Sequence, residues 1–207
     1  MKNTKNWAWL LALGSLWGMS EVWGGEFLYA NGIPHSSFWL SAFAVFLIAV
    51  ARGLVNVPGS SSALGAVAAL FKLANASPFY CHLLAIFLLG VAFDVAATAL
   101  CRKEGRGLIL RGALAGILGA YGGYASFALL ITYIIRYEPW VDGGVSRVVN
   151  HIFVGGSLAA LAGALLFPVG LKIGSEAGKA SVRKPVWSAA GAVATAALLW
   201  TLGRIIK

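Results

Sequence analysis

Seven apolar runs, each near the length a helix needs to cross a bilayer, constrain this chain more than any other feature. They fall at about 7–25, 36–52, 59–74, 79–101, 112–135, 148–171 and 186–203. Roughly 20 apolar residues cross the hydrocarbon core as a helix, and lipid offers no partner for an unpaired backbone group. With 59% hydrophobic and 11% charged residues in 207, too little polar surface exists to cover a soluble globule. The expected fold is an all-α integral membrane protein. A six-helix membrane core is expected over 1–173, a basic cytoplasmic loop over 174–185, and an additional hydrophobic helix over 186–207.

The net charge of +9 would suggest nucleic acid in a soluble protein, but here its placement is topological. Of sixteen Lys and Arg, eleven fall in the first tail and in 52–58, 101–111 and 172–185. That bias puts the N-terminus and these segments on the cytoplasmic side. Arg204 and Lys207 then end the last helix outside, against the rule, which leaves an interfacial placement open for it. Lys2 and Lys5 precede an apolar run as in a signal peptide. No small-residue cleavage site follows, however, and Glu21 stands where one would lie, so a retained helix is expected. Cys81 and Cys101 sit near opposite ends of one run, too far apart to bridge, and are expected as free thiols.

The stretch from 52 to 101 is the organising one. Arg52, the turn at Pro58-Gly59, a short Ala- and Gly-rich helix, Lys72, a break at Pro78 and a long apolar run carrying Asp94 follow one another. A helix broken on both sides and flanked by ionisable groups is costly in lipid unless it borders a cavity. Ser60, Ser61 and Ser62 are placed to cap the short helix. Arg52 has a simple reading as a cytoplasmic anchor. Lys72 either snorkels outward on its stem or meets an anionic ligand group. Asp94 lies deeper than any other carboxylate, and is either a ligand or coupling group or a hydrogen-bond acceptor for a neighbouring helix.

Around this centre the remaining candidates cluster at the outer ends of the runs. Glu21 shares a helical face with Trp17 and Gly18, as a ligand contact or as a helix end reaching headgroup water. The segment 25–37 reads as an outer loop able to cover a cavity, with Glu26, Tyr29, Asn31 and His35 available to face it, or as an ordinary turn. Tyr121 and Tyr124 share one face and either wall a pocket or pack. RYEPWVDGGVSR reads as a second outer loop, and Asn150 and His151 then open the sixth helix as ligand contacts or, for Asn150, a cap. Ala8 and Ala12, four apart, form a small-residue stripe on which another helix can dock. Cys81 and His82 are adjacent and point to different faces, so no metal site is expected, and no cofactor.

Two other function classes compete with ligand binding. A membrane enzyme would need a nucleophile and base at one depth, but neither G-x-S-x-G nor H-E-x-x-H occurs, so enzymatic activity is not expected. A structural or assembly subunit would use the glycine stripes for packing and the polar residues as caps.

The succession of Ala8-x3-Ala12, an outer loop, Arg52 before Pro58-Gly59-Ser60, a short third helix, Lys72, a proline, and a fourth helix with Gly90 and Asp94 resembles the substrate-binding S components of energy-coupling factor transporters. It is most similar to the group that takes up thiamine or its hydroxymethylpyrimidine precursor, over about 170 residues. The resemblance implies a six-helix bundle that binds a vitamin-like molecule near the outer face. It also implies an integral T component, docking on Ala8 and Ala12, and two cytoplasmic ATPases, in the plasma membrane of a prokaryote. The seventh hydrophobic segment, and Asp94 where that group carries Glu, depart from the pattern. No Walker A sequence is present, so ATP hydrolysis through a P-loop would belong to partners.

Overall fold

Alternating apolar runs and short breaks produce helices throughout the computed structural model, which describes residues 2–76, 80–102, 107–183 and 185–205. Among these residues no strand occurs. Helix α1 (Lys2–Met19) continues through a π turn (Ser20–Gly24) into α2 (Gly25–Ala30). Gly32, at φ +61°, and Pro34 stop it, and α3 (Ser36–Leu54) follows. Pro58 separates α3 from α4 (Ser60–Asn75), because a residue before proline is pushed out of the helical region. Helix α5 (Tyr80–Leu100) precedes α6 (Leu108–Leu129), which runs on through a second π turn (Leu130–Ile134). Helix α7 (Glu138–Asn150) takes Pro139 in its first turn, where proline costs no hydrogen bond. A third π turn (His151–Gly155) joins it to α8 (Gly156–Arg183), and α9 is Pro185–Ile205.

Among the described residues, four stretches are long and apolar enough to cross a membrane: Ser36–Leu54, Tyr80–Leu100, Leu108–Ile134 and Glu138–Ala180. That is compatible with a multi-pass membrane protein. Ala189–Ile205 is a shorter apolar stretch.

Helices α1, α4, α5, α6, α8 and α3 contact one another in that order and close a ring, with α9 outside it against α1. Small residues let these helices meet closely. Gly116 of α6 lies against the backbone of Gly163 of α8, and a Cβ at Gly116 would collide with the Gly163 carbonyl. The main buried cluster runs through Trp17, Ile48, Leu64, Phe93 and Phe167, the last two stacked at 5.3 Å.

Several sequence expectations are corrected here. The segment 25–30 is helix, not loop, because no breaker precedes Gly32 and glycines 24 and 25 keep helical dihedrals. Residues 138–150 are helical where an outer loop was expected; Gly144, at φ 57° and ψ −159°, supplies only a kink. Residues 174–183 continue α8 and form no loop. Asn150 is interior to this run and caps nothing. Pro78, Lys103, Arg106, Lys184 and Lys207 lie outside the described residues.

The turn between α3 and α4 is tied down by one buried knot. Arg52, fully enclosed, donates from Nη1 to Asp94 Oδ1 at 3.0 Å and to the Val57 carbonyl at 2.7 Å, and from Nη2 to Thr98 Oγ1 at 2.8 Å. It is therefore no exposed anchor. Asp94 accepts the backbone N–H of Gly59 at 2.7 Å on Oδ2 and of Ser61 at 3.1 Å on Oδ1. The first turn of α4 is thus capped from α5 rather than by its own serines, and Gly59 takes φ +89° to allow it. Asn56 Nδ2 adds a bond to the Cys101 carbonyl at 3.1 Å. Cys81 and Cys101 are free, and burial pushes the Cys101 thiol up against the opposing pull of Arg111 and Arg52.

Removing one partner of a buried ion pair strands the other, at a cost of about 3–5 kcal/mol. Arg52→Met should therefore lower the thermal midpoint of the purified protein markedly, with Asp94→Asn milder because its amide oxygen still accepts one backbone N–H. An unchanged midpoint in Arg52→Met would refute the knot.

Candidate functional site

A cavity of about 770 Å³ lies at the end of the bundle opposite the knot. Its wall comes from the end of α1 and its π turn, α2, the starts of α3 and α5, the end of α4, the second half of α6 and the first residue of the third π turn. All three π turns sit at this end. A π turn carries an extra residue, so it widens the helix and re-aims the side chains it holds; such turns recur at functional sites. Here the first places Glu21 and Val22 on the cavity, and the third places His151 there.

The charged wall is built from α1 and α4. Lys72 Nζ lies 3.1 Å from Glu21 Oε2, with the two side chains only 10% and 12% exposed. Trp17, one helical turn before Glu21, donates from Nε1 to its Oε1 at 3.2 Å. Lys72 therefore turns inward to a carboxylate rather than snorkelling outward. An ammonium has three donors, and among the described residues Glu21 is its one recorded acceptor. Glu26 stands at the more open side. Two carboxylates against one ammonium leave the wall with one excess negative charge when the imidazoles are neutral.

The opposite wall is aromatic. His151 stacks on Tyr124 with centroids 4.7 Å apart and planes at 24°, and lies 5.5 Å from Phe127 and 5.1 Å from Trp140. Tyr124 is fixed at its far end by a 3.0 Å hydrogen bond between its hydroxyl and Ser41 Oγ. Gly155 makes room for that ring: a Cβ there would meet Tyr124 Cε1 at 2.9 Å. A flat aromatic face opposite a charged edge orients a planar, polar-edged molecule, since the face contributes area and the edge sets direction.

Of the residues singled out in the sequence, Glu21, Glu26, Tyr29, Lys72, Tyr124 and His151 are brought together on this cavity. Five are not. Asn31 is exposed and donates to the Phe27 carbonyl at 2.8 Å. Asp94 is saturated in the knot at the other end, so its depth reflects a structural acceptor. His35 is exposed at the left-handed residue preceding α3. Tyr121 turns to α8, with its hydroxyl 2.7 Å from Ser157 Oγ. Asn150 is exposed. Ala8 and Ala12 are buried against Ala192 of α9, so the small-residue stripe is covered by the chain's own last helix. Among the described residues no three His, Cys, Asp or Glu side chains gather as metal ligands.

Sequence reasoning missed Ser36, Ser37 and Ser41 of α3, and Phe127 of α6. A signal existed for three of these: Ser37 and Ser41 are four apart, and Phe127 follows Tyr124 by three, so each shares a face with another lining residue.

The Glu21–Lys72 pair should behave as a unit. Lys72→Met and Glu21→Gln should each destabilise the protein, and the double variant should be less destabilised than their sum, with a coupling of about 1 kcal/mol or more. Strict additivity of thermal-unfolding free energies would refute the pairing. Compared with known proteins, the chain matches no family model, no curated protein and no solved structure.

Proposed function

We propose that this chain is a membrane-embedded substrate-capture subunit, of the energy-coupling factor S-component type, for an ATP-driven importer of a vitamin or vitamin precursor. The observation that carries the reading is the cavity of about 770 Å³, which joins a Tyr124–His151 aromatic wall to a Glu21–Lys72 charged wall. Its size suits a drug-sized molecule, and its mixture of apolar surface with a few directed polar groups is that of a ligand pocket. A small heteroaromatic molecule would stack on Tyr124 and His151. Its polar edge would meet the spare donors of Lys72 and the carboxylate of Glu26.

Energy must come from elsewhere, because the sequence has no Walker A loop. The partners on this reading are an integral T component and two cytoplasmic ATPases, in the plasma membrane of a prokaryote, with the N-terminus cytoplasmic and the cavity outward. The basic segments at the end opposite the cavity support that orientation. A partner reaching α1 through Ala8 and Ala12 would first have to displace α9.

Native mass spectrometry of gently purified protein should show a retained molecule of vitamin size. Tyr124→Ala and Glu26→Gln should weaken its binding at least about tenfold, equivalent to about 1.4 kcal/mol. Asp94→Asn should lower stability yet leave affinity in the folded fraction unaltered. Preparations that are always empty, together with no thermal shift across a panel of vitamin-like heteroaromatics, would sink the proposal.

A further inference from the structure

The cavity and α9 share a wall. Helices α1 and α4 form a panel with Trp17, Glu21 and Lys72 on the cavity side. On its other side, Trp200 of α9 donates from Nε1 to Ser15 Oγ at 2.9 Å and sets its ring edge-on to Phe71 at 5.1 Å. Met19, Phe71 and Leu199 make a buried cluster between the panel and α9, with Val22 and Trp23 packed against it. Gly203 fits so closely that a Cβ would come within 3.0 Å of Asn75 and Phe71. Asn75 Oδ1, buried beside it, has no hydrogen-bond partner among the described residues, so close packing by α9 shuts off a polar atom it does not satisfy. That makes the seat of α9 less than optimal.

Val22 belongs to both sides: it packs on the α9 cluster and lines the cavity. It also lies within the π turn Ser20–Gly24 that holds Glu21. Such a turn has an alternative, since losing its extra residue restores an α turn and shifts the register by one residue, or about 100° around the helix axis. A change of that size would carry Glu21 away from Lys72.

We propose that α9 is a clamp on this turn. Seated on α1 and α4, it holds the π winding through Met19, Val22 and Trp23, and so keeps Glu21 on the cavity. Its withdrawal frees the turn and breaks the charged wall. Helix α9 stands outside the ring and rests mainly on α1, so it can leave without opening the ring. The coupling runs through one contiguous packed set with an element that has two arrangements, the physical requirement for communication between sites. It concerns the empty protein and holds whatever the cavity binds.

The test uses the full-length chain carrying Ala12→Cys, Ala192→Cys and Cys81→Ala. The introduced thiols, from one buried cluster, are joined by a short methanethiosulfonate cross-linker and released by reduction. Hydrogen exchange is read by mass spectrometry at amides 20–26, with α5 and α6 as controls. A second protein, Trp200→Ala with Gly203→Leu, loosens α9. Exchange at 20–26 should slow several-fold in the cross-linked form relative to its reduced form, and quicken about tenfold in the loosened protein, with the controls steady. Exchange at 20–26 that ignores both changes overturns the proposal, as does failure of the thiols to cross-link. Should the loosened protein not fold, the linked and reduced forms of the first decide alone.

Discussion

A charge enclosed by an apolar bundle must be answered within the bundle, and two ion pairs at opposite ends do this in opposite ways. Arg52 and Asp94 are held by protein groups: a hydroxyl, backbone N–H groups and a carbonyl meet the two Nη groups and the carboxylate and pin the α3–α4 turn, leaving Arg52 Nε without a partner among the described residues. Glu21 and Lys72 are similarly close, at 3.1 Å, yet they border open volume, and among the described residues Glu21 is the one acceptor of the Lys72 ammonium. The first pair resembles a structural strut, because much of its desolvation is offset by several protein partners. The second keeps unspent polar capacity at a concave surface, which is what recognition requires.

The spacing of the helices follows from what they place between themselves. Several glycines face backbone: Gly116 packs on Gly163, a Cβ at Gly90 would come 2.8 Å from the Ser61 carbonyl oxygen, and one at Gly174 would collide with the Val50 carbonyl. Others face side chains, as Gly155 faces Tyr124 and Gly123 faces Leu89, while Gly18 faces both Phe71 and the Ala68 carbonyl. Backbone contact brings helix axes close, whereas an intervening ring holds them apart.

Much of this was legible in the residues. Apolar run length locates the helices, and ionisable or aromatic residues near the run ends picked out Glu21, Glu26, Lys72, Tyr124 and His151. Asp94 misled because depth in an apolar run signals a need for a partner without saying whether that partner is ligand or protein. Arg52 misled for the converse reason: a cation at a run end looks solvated until a carboxylate on another helix is known to face it. Ser36 and Ser37 were passed over because a serine at the start of a helix reads first as a cap, and Ser41 because it sits inside an apolar run. The helical course of 25–30 and 174–183 was hidden by glycines and charges that favour loops locally but are carried along by the helices they extend.

The π turns were the least legible, since their composition is that of the helices around them, yet they shape what the cavity end can do. An α-helical α1 with the same residues would present a different side chain at the position of Glu21, because each residue of register turns the face by about 100°. A π turn gives up regular backbone hydrogen bonding and persists when tertiary contacts compensate. At the first turn those contacts come from two directions: the Lys72 ammonium and Trp17 indole hold Glu21 from within, and the Met19–Phe71–Leu199 cluster holds Val22 and Trp23 from without. The cavity wall and the seat of the last helix are thus one packing problem. The small-residue stripe of α1, legible as a docking surface, is the part of its solution that the chain supplies from its own C-terminal helix.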